Sequence, residues 1–215
     1  QLDERVLLSP AFAVQTANNE VARMGEIALK SLNAAMSAIN NKSLEDIETV
    51  AKCEKKLDDM QEALTEFLIK VDNLSLSESQ KKHINNLFNM VTDIERVGDH
   101  ADNLSENAKY MIDNDLEFSD LGKEDLAEIS KDSIEAFEVA LNARSGDALR
   151  AVRKVNKLED EVDMLEDEMR EKHIERLSKG DCNPQAGIAF LDIISNLERI
   201  SDHATNIAGY VKNEI

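Results

Sequence analysis

One ten-residue string occurs twice in this chain, and that duplication limits the fold more than any other feature. Residues 94–103 read Ile-Glu-Arg-Val-Gly-Asp-His-Ala-Asp-Asn and residues 197–206 read Leu-Glu-Arg-Ile-Ser-Asp-His-Ala-Thr-Asn. Six of the ten positions are identical and two more exchange one aliphatic side chain for another. Glu95 and Glu198 are 103 positions apart in a chain of 215. A weaker echo, Glu54-x-x-x-Asp58 against Glu159-x-x-x-Asp163, has an offset of 105. A period near half the chain length signals tandem copies of one supersecondary unit.

Each copy reads as three helices. Val21, Met24, Ile27, Ala28 and Leu32 recur at helical spacing, as do Leu57, Met60, Leu64, Phe67 and Leu68. The pattern predicts helices over about 11–40, 44–71, 78–112, 121–143, 147–178 and 184–213. Pro10 suits a helix start, Ser43 a cap, and Ser77-Glu78-Ser79-Gln80 a capping box. Arg144-Ser145-Gly146, Lys179-Gly180-Asp181 and Asn183-Pro184 punctuate the second half. The expected fold is all-α: two tandem three-helix bundles related by a pseudo-two-fold, with six long antiparallel helices joined by short connections. Residues 1–10 form a connector, 11–116 the first bundle and 117–215 the second.

Composition agrees and removes several function classes. Hydrophobic residues are 42%, enough for a core, while 4% aromatics, 7 Gly and 2 Pro argue against a β-sandwich. The formal charge of -19 argues against nucleic acid or an anionic membrane surface as direct partner and favours cations. No run of about 18 apolar residues is present, so this segment is not expected to insert in a membrane. Cys53 and Cys182 form no C-x-x-C pair and point to a reducing compartment. The seven Met are expected as core filler.

Glu and Asp at i and i+4 share one helix face, so two such pairs on adjacent helices bring four carboxylates together. Unpaired, these acids repel; a multivalent cation reverses the cost, and all-oxygen donors select hard ions such as Mg²⁺, Ca²⁺, Mn²⁺ or iron. With 44 acids in 215 positions, roughly nine acid pairs at this spacing arise by chance, so one pair signifies little. The duplicated Glu-Arg-aliphatic-small-Asp-His-Ala-x-Asn string is what points to metal or anion binding. Gly98 and Ser201 would let helices approach closely. His100 and His203 sit about 100° around the helix from the preceding Asp, which suits buried hydrogen bonding better than ligation. Asn103 and Asn206 share the face of Asp99 and Asp202 and could extend each site by a turn. Arg96 and Arg199 are expected to pair with neighbouring acids. The residues three before the four histidines are Gln80, Val97, Arg170 and Ile200, so the Glu-x-x-His pattern of di-iron bundles is absent. No phosphate-binding loop, nucleophile elbow or H-E-x-x-H occurs, and no catalysis is expected.

The segments Leu197–Ala208 and Ile94–Leu104, with Val155–Asp163 as a weaker match, resemble the PhoU family over nearly all of residues 11–215. That resemblance implies paired three-helix bundles carrying E/D-x-x-x-D motifs and multinuclear metal clusters. Carried over by position, one metal site would use Glu54, Asp58, Glu95 and Asp99, and the other Glu159, Asp163, Glu198 and Asp202; Asn103 and Asn206 match a further polar position. The ions implied are divalent or trivalent (iron, manganese, magnesium, calcium or zinc), with phosphate able to join the cluster. Gly209 stands where many members carry Glu, whereas Glu106 keeps it in the first half, so the two sites would differ.

The stretch Leu2-Asp3-Glu4-Arg5-Val6-Leu7-Leu8-Ser9-Pro10 is similar to the segment joining membrane and PhoU-like parts in bacterial Na⁺/phosphate cotransporters. The first expectation is therefore the cytoplasmic domain of such a transporter, at the inner face of the plasma membrane, controlling phosphate uptake. The second is a free-standing PhoU regulator of an ABC phosphate transporter and its sensor kinase, and the third a metal-dependent enzyme. The partners implied are a membrane phosphate transporter, in the same chain or separate, and a second copy of the chain.

Overall fold

The helix signals in the sequence become six long helices in the structure, a computed structural model that describes residues 7–180 and 183–214. They are α1 (Pro10–Asn41), α2 (Leu44–Asp72), α3 (Glu78–Asp113), α4 (Asp120–Leu141), α5 (Ala148–Lys179) and α6 (Pro184–Lys212), with a 3-10 turn at Ala143–Ser145. Cys182 and the first six connector residues lie outside the described residues.

The ends are set by the residues that announced them. Pro10 begins α1, where its missing N–H costs nothing. The Ser43 hydroxyl accepts from the Asp46 amide at 3.2 Å. The Ser77–Gln80 box closes in both directions, at 3.2 Å and 2.9 Å. Gly180 ends α5 with φ 77, a left-handed conformation that most side chains resist. α4 stops at Leu141, two residues before the expected end, because the chain tightens into the 3-10 turn.

α1, α2 and α3 pack together, as do α4, α5 and α6, and the two trios join where α3 lies along α6 and α1 touches α4. Asn86 donates to the Tyr210 carbonyl while Asn107 donates to Asp192, so α3 and α6 run antiparallel. The trios share one apolar core: Leu32, Leu57, Ile94 and Leu104 of the first are continuous with Phe137, Ile193, Leu197 and Ile200 of the second. Each fully buried aliphatic contributes about 1.5–3 kcal/mol of hydrophobic stabilisation, so this shared core holds the halves in register. Six of the methionines are buried, but Met164 is 72% exposed and is no core filler. It lies two residues, about 200°, from the inward-facing Val162, on the polar side of α5. Among the described residues, no helix is long and apolar enough to cross a membrane.

Candidate metal centres

α2 and α3 bring Glu54, Asp58, Glu95 and Asp99 to one seam. Burial pushes the Glu54 carboxyl up to about 7, with the charges of Asp58, Asp99, Asp102 and Glu95 adding to it. Glu95 is raised by burial, then by Asp99. Gly98 makes the seam close: a Cβ there would lie 2.5 Å from Leu57 Cδ1 and 3.4 Å from Glu54 Oε2. Asp102, which the motif did not single out, joins the cluster. It is raised by burial, then by Glu106 and Asp99. It follows Asp99 by three positions, so helical spacing alone could have placed it.

α5 and α6 repeat the arrangement. One oxygen each of Glu159, Asp163 and Asp202 lies within 4.8 Å of the others. Glu198 is pushed up to about 6 by burial, then by Asp202, Asp163 and Glu166. Glu159 is raised by burial and then by Asp163, and Asp163 by burial and then by Asp202. Glu166, nearly buried, is paired with Arg170. A cavity of about 330 Å³ opens between Asp163, Glu166, Asp167, Arg170, Ser195 and Glu198. The expected pairing of arginine with acid is met by Arg96, 3.2 Å from Asp99.

In these carboxylate sets the ionisation of Glu54, Glu95 and Asp102 on one side, and of Glu159, Asp163 and Glu198 on the other, is resisted by burial and by neighbouring acids. Such a set suits hard cations, whose charge removes both obstacles at once. All eight acids named from the sequence thus lie in two clusters, four to each.

Asn103 and Asn206 do something other than extend these clusters. Their amides turn into the α3–α6 interface, where Asn103 donates to Asn196 and Asn206 to Asp93, each at 3.2 Å. His100 Nδ1 meets Asn196 at 2.9 Å and His203 Nδ1 meets Asp93 at 2.7 Å. The two imidazoles face each other with centroids 5.6 Å apart. Asp93 and Asn196 are themselves 103 positions apart, so each half gives the other one buried acceptor for a His and an Asn. Tyr210 adds a third bond to Asp93 at 2.8 Å. The duplicated string therefore serves two ends: its Glu and Asp face α2 or α5, while its His and Asn join the halves. Sequence reading missed Asp93 because its counterpart is an Asn.

Comparison with known proteins bears on this arrangement. A family model described as PhoU domain matches residues 21–108 and again 125–211. The phosphate-specific transport system accessory protein PhoU homolog of Clostridium acetobutylicum is 27% identical over 198 residues, covering 88% of this chain and 86% of its own length. PhoU homolog 1 of Thermotoga maritima is 22% identical over 194 residues, covering 88% and 81%. The crystal structure of PhoU from Pseudomonas aeruginosa superposes with a TM-score of 0.86 at 21% identity, covering 94% of this chain and 96% of that one. That of the phosphate transport system regulatory protein PhoU from Streptococcus pneumoniae gives 0.83 at 19%, covering 96% of each. With both halves matched by the same domain and both built as three-helix bundles around duplicated acids, this chain belongs to the PhoU family.

Proposed function

We propose that this protein is a regulator of phosphate transport that holds multivalent cations at its two acid clusters and works on a membrane phosphate transporter from the cytoplasmic face. The observation that carries this reading is the coverage of the match: relatives named as accessory proteins of phosphate-specific transport systems align over most of this chain and most of their own length. That coverage suits both a free-standing regulator and the PhoU-like domain of a Na⁺/phosphate cotransporter, the reading suggested by residues 2–10. Glu54, Asp58, Glu95, Asp99 and Asp102 would hold one set of ions, and Glu159, Asp163, Glu198 and Asp202 the other. A bound cation supplies positive charge that offsets the repulsion among these acids. The protein's own part is to converge two helices on one charge, so that α2 is tied to α3 and α5 to α6. Bound and free forms then differ in helix packing, and a transporter that prefers one form responds to occupancy by that difference in affinity.

Phosphate uptake in cells lacking the protein tests this. Wild-type protein is expected to restore regulated uptake, and the Glu95→Ala/Asp99→Ala/Glu198→Ala/Asp202→Ala variant, folded but metal-free, to fail. Full restoration by that variant would overturn the metal part of the reading; failure of both would overturn the transport part. No turnover is part of this function, so a panel of phosphoesters is expected to survive incubation with metal-loaded protein.

A further inference from the structure

The two histidines of the duplicated string each leave one ring nitrogen without a task. His100 Nδ1 bonds to Asn196 at 2.9 Å and His203 Nδ1 to Asp93 at 2.7 Å. Both partners present an oxygen. The Asn196 amide nitrogen is engaged by the Asp192 carbonyl at 2.8 Å, and its oxygen also accepts from Asn103. Asp93 accepts from Asn206 and Tyr210 as well. Each Nδ1 is therefore the N–H of its ring, and in the neutral imidazole Nε2 carries the lone pair.

The placement of the acceptors orients the rings. Asp93 lies seven positions before His100 on α3, and Asn196 seven before His203 on α6. Because α3 and α6 run antiparallel, the acceptors flank the ring pair from opposite ends. A ring that turns Nδ1 outward turns its Nε2-bearing edge inward, and the centroids are 5.6 Å apart. Among the described residues neither Nε2 bonds to the protein. Both residues are partly buried, and the sealed, unpaired side-chain atoms are those of Ser31, His173 and Thr205, so both Nε2 atoms stay open to solvent.

Metal-binding imidazoles are arranged in this way: one nitrogen donates to a carboxylate or carbonyl, which fixes the tautomer and the ring, and the other is left for the ion. The chemistry differs from that of the acid clusters. Carboxylates suit hard cations, whereas imidazole suits zinc, copper and nickel. The position differs too. Each acid cluster lies within one half, while these rings come one from each half. The acids Asp93, Glu95 and Asp99 stand near the pair, against the cation Arg199.

We propose that His100 and His203 hold one transition-metal ion of the zinc class between their Nε2 atoms, with water or a small anion on its open positions, and so staple the two halves together across α3 and α6. The test is a titration of the whole chain with Zn²⁺, magnesium being present in excess for the acid clusters, followed by side-chain nitrogen NMR. The Nε2 resonances of His100 and His203 should move together and level off at one zinc per chain, while both Nδ1 atoms keep their protons and the rings of His83 and His173 stay unmoved. Calorimetry should give a dissociation constant below about 100 μM. His100→Gln and His203→Gln should each weaken zinc binding by about tenfold or more. Unmoved His100 and His203 resonances in the wild-type chain at about 1 mM Zn²⁺, or wild-type zinc affinity in both variants, overturns the proposal; the wild-type titration decides it if either variant fails to fold. Because the readout is imidazole nitrogen and neither phosphate uptake nor manganese, its failure leaves the regulatory reading standing.

Discussion

In the α2–α3 cluster the most perturbed acid is Glu54, pushed up to about 7; in the α5–α6 cluster it is Glu198, at about 6. The repeated residues are the same, so the difference comes from their neighbours. Asp102 and Glu106 add charge to the first cluster, where the second has Thr205 and Gly209. Arg170 binds Glu166 beside the second cluster and offsets part of its repulsion. Gly98 presses α3 closely on Leu57 and Glu54, and the matching residue in α6 is Ser201, buried and bonded to its own helix at the Glu198 carbonyl. The second cluster nonetheless brings three of its oxygens within 4.8 Å. A repeat can therefore keep its fold and its acids while the residues around them set the charge each copy would offer a cation. The first cluster gathers more negative charge; the second gathers its oxygens more closely.

The largest effect that can break this comparison is removal of the ions. At about a hundredfold saturation each site adds about 2.7 kcal/mol, so stripping both with EDTA should lower Tm by about 10–20 °C in a calorimeter. Glu95→Ala/Asp99→Ala should remove more than half of that shift and Glu198→Ala/Asp202→Ala the smaller part, with metal content read by elemental analysis. Equal losses would mean that the neighbours do not matter.

Next come the matched acceptors between the halves. Asp93→Ala strands His203, Asn206 and Tyr210 and should cost roughly 3 kcal/mol, or about 6–12 °C in Tm. Asn196→Ala leaves a neutral network short of one acceptor and should cost about half as much.

A smaller effect appears in the pH dependence of the metal-free protein. Glu54 and Glu198 have folded-state pKa values above the ordinary 4.5, so the folded state binds the extra protons. Stability should then fall as pH rises from 4.5, up to about 6 for Glu198 and about 7 for Glu54. Glu214 acts oppositely: burial raises it, but hydrogen bonds from His83, Arg144 and Asn86 outweigh that and hold it at about 2, so its contribution is lost as pH falls from 4.5. After discounting for partial exposure, Glu54→Gln should raise Tm of the metal-free protein at pH 8 by about 2–4 °C, and Glu198→Gln by less. The smallest effect is Met164→Gln, at an exposed position beside Asp163, which should move Tm by under about 1 °C and leave metal content unchanged.

Much of this was legible before any coordinates. Helix ends were readable because Pro10, Ser43, Ser77 and Gly180 act through their own backbone, and all eight acids converge because i, i+4 spacing fixes a helix face. The roles of Asn103 and Asn206 were not legible. Spacing places them on the Asp face, but the face is wide, and which side meets α6 depends on how two helices roll against each other. Asp93 was hidden because the repeat replaces it with Asn196, and Asp102 because Thr205 breaks the pattern. Met164 reads as core only if every Met is assumed buried.

The central claim is that the duplicated acids hold inorganic cations, and anomalous diffraction from crystals grown with manganese or iron tests it most directly. The account predicts strong anomalous peaks at both seams, within about 2.6 Å of carboxylate oxygens of Glu54, Asp58, Glu95 or Asp99 and of Glu159, Asp163, Glu198 or Asp202. Data showing both seams filled only by water, in protein that has been given the metal, would contradict it.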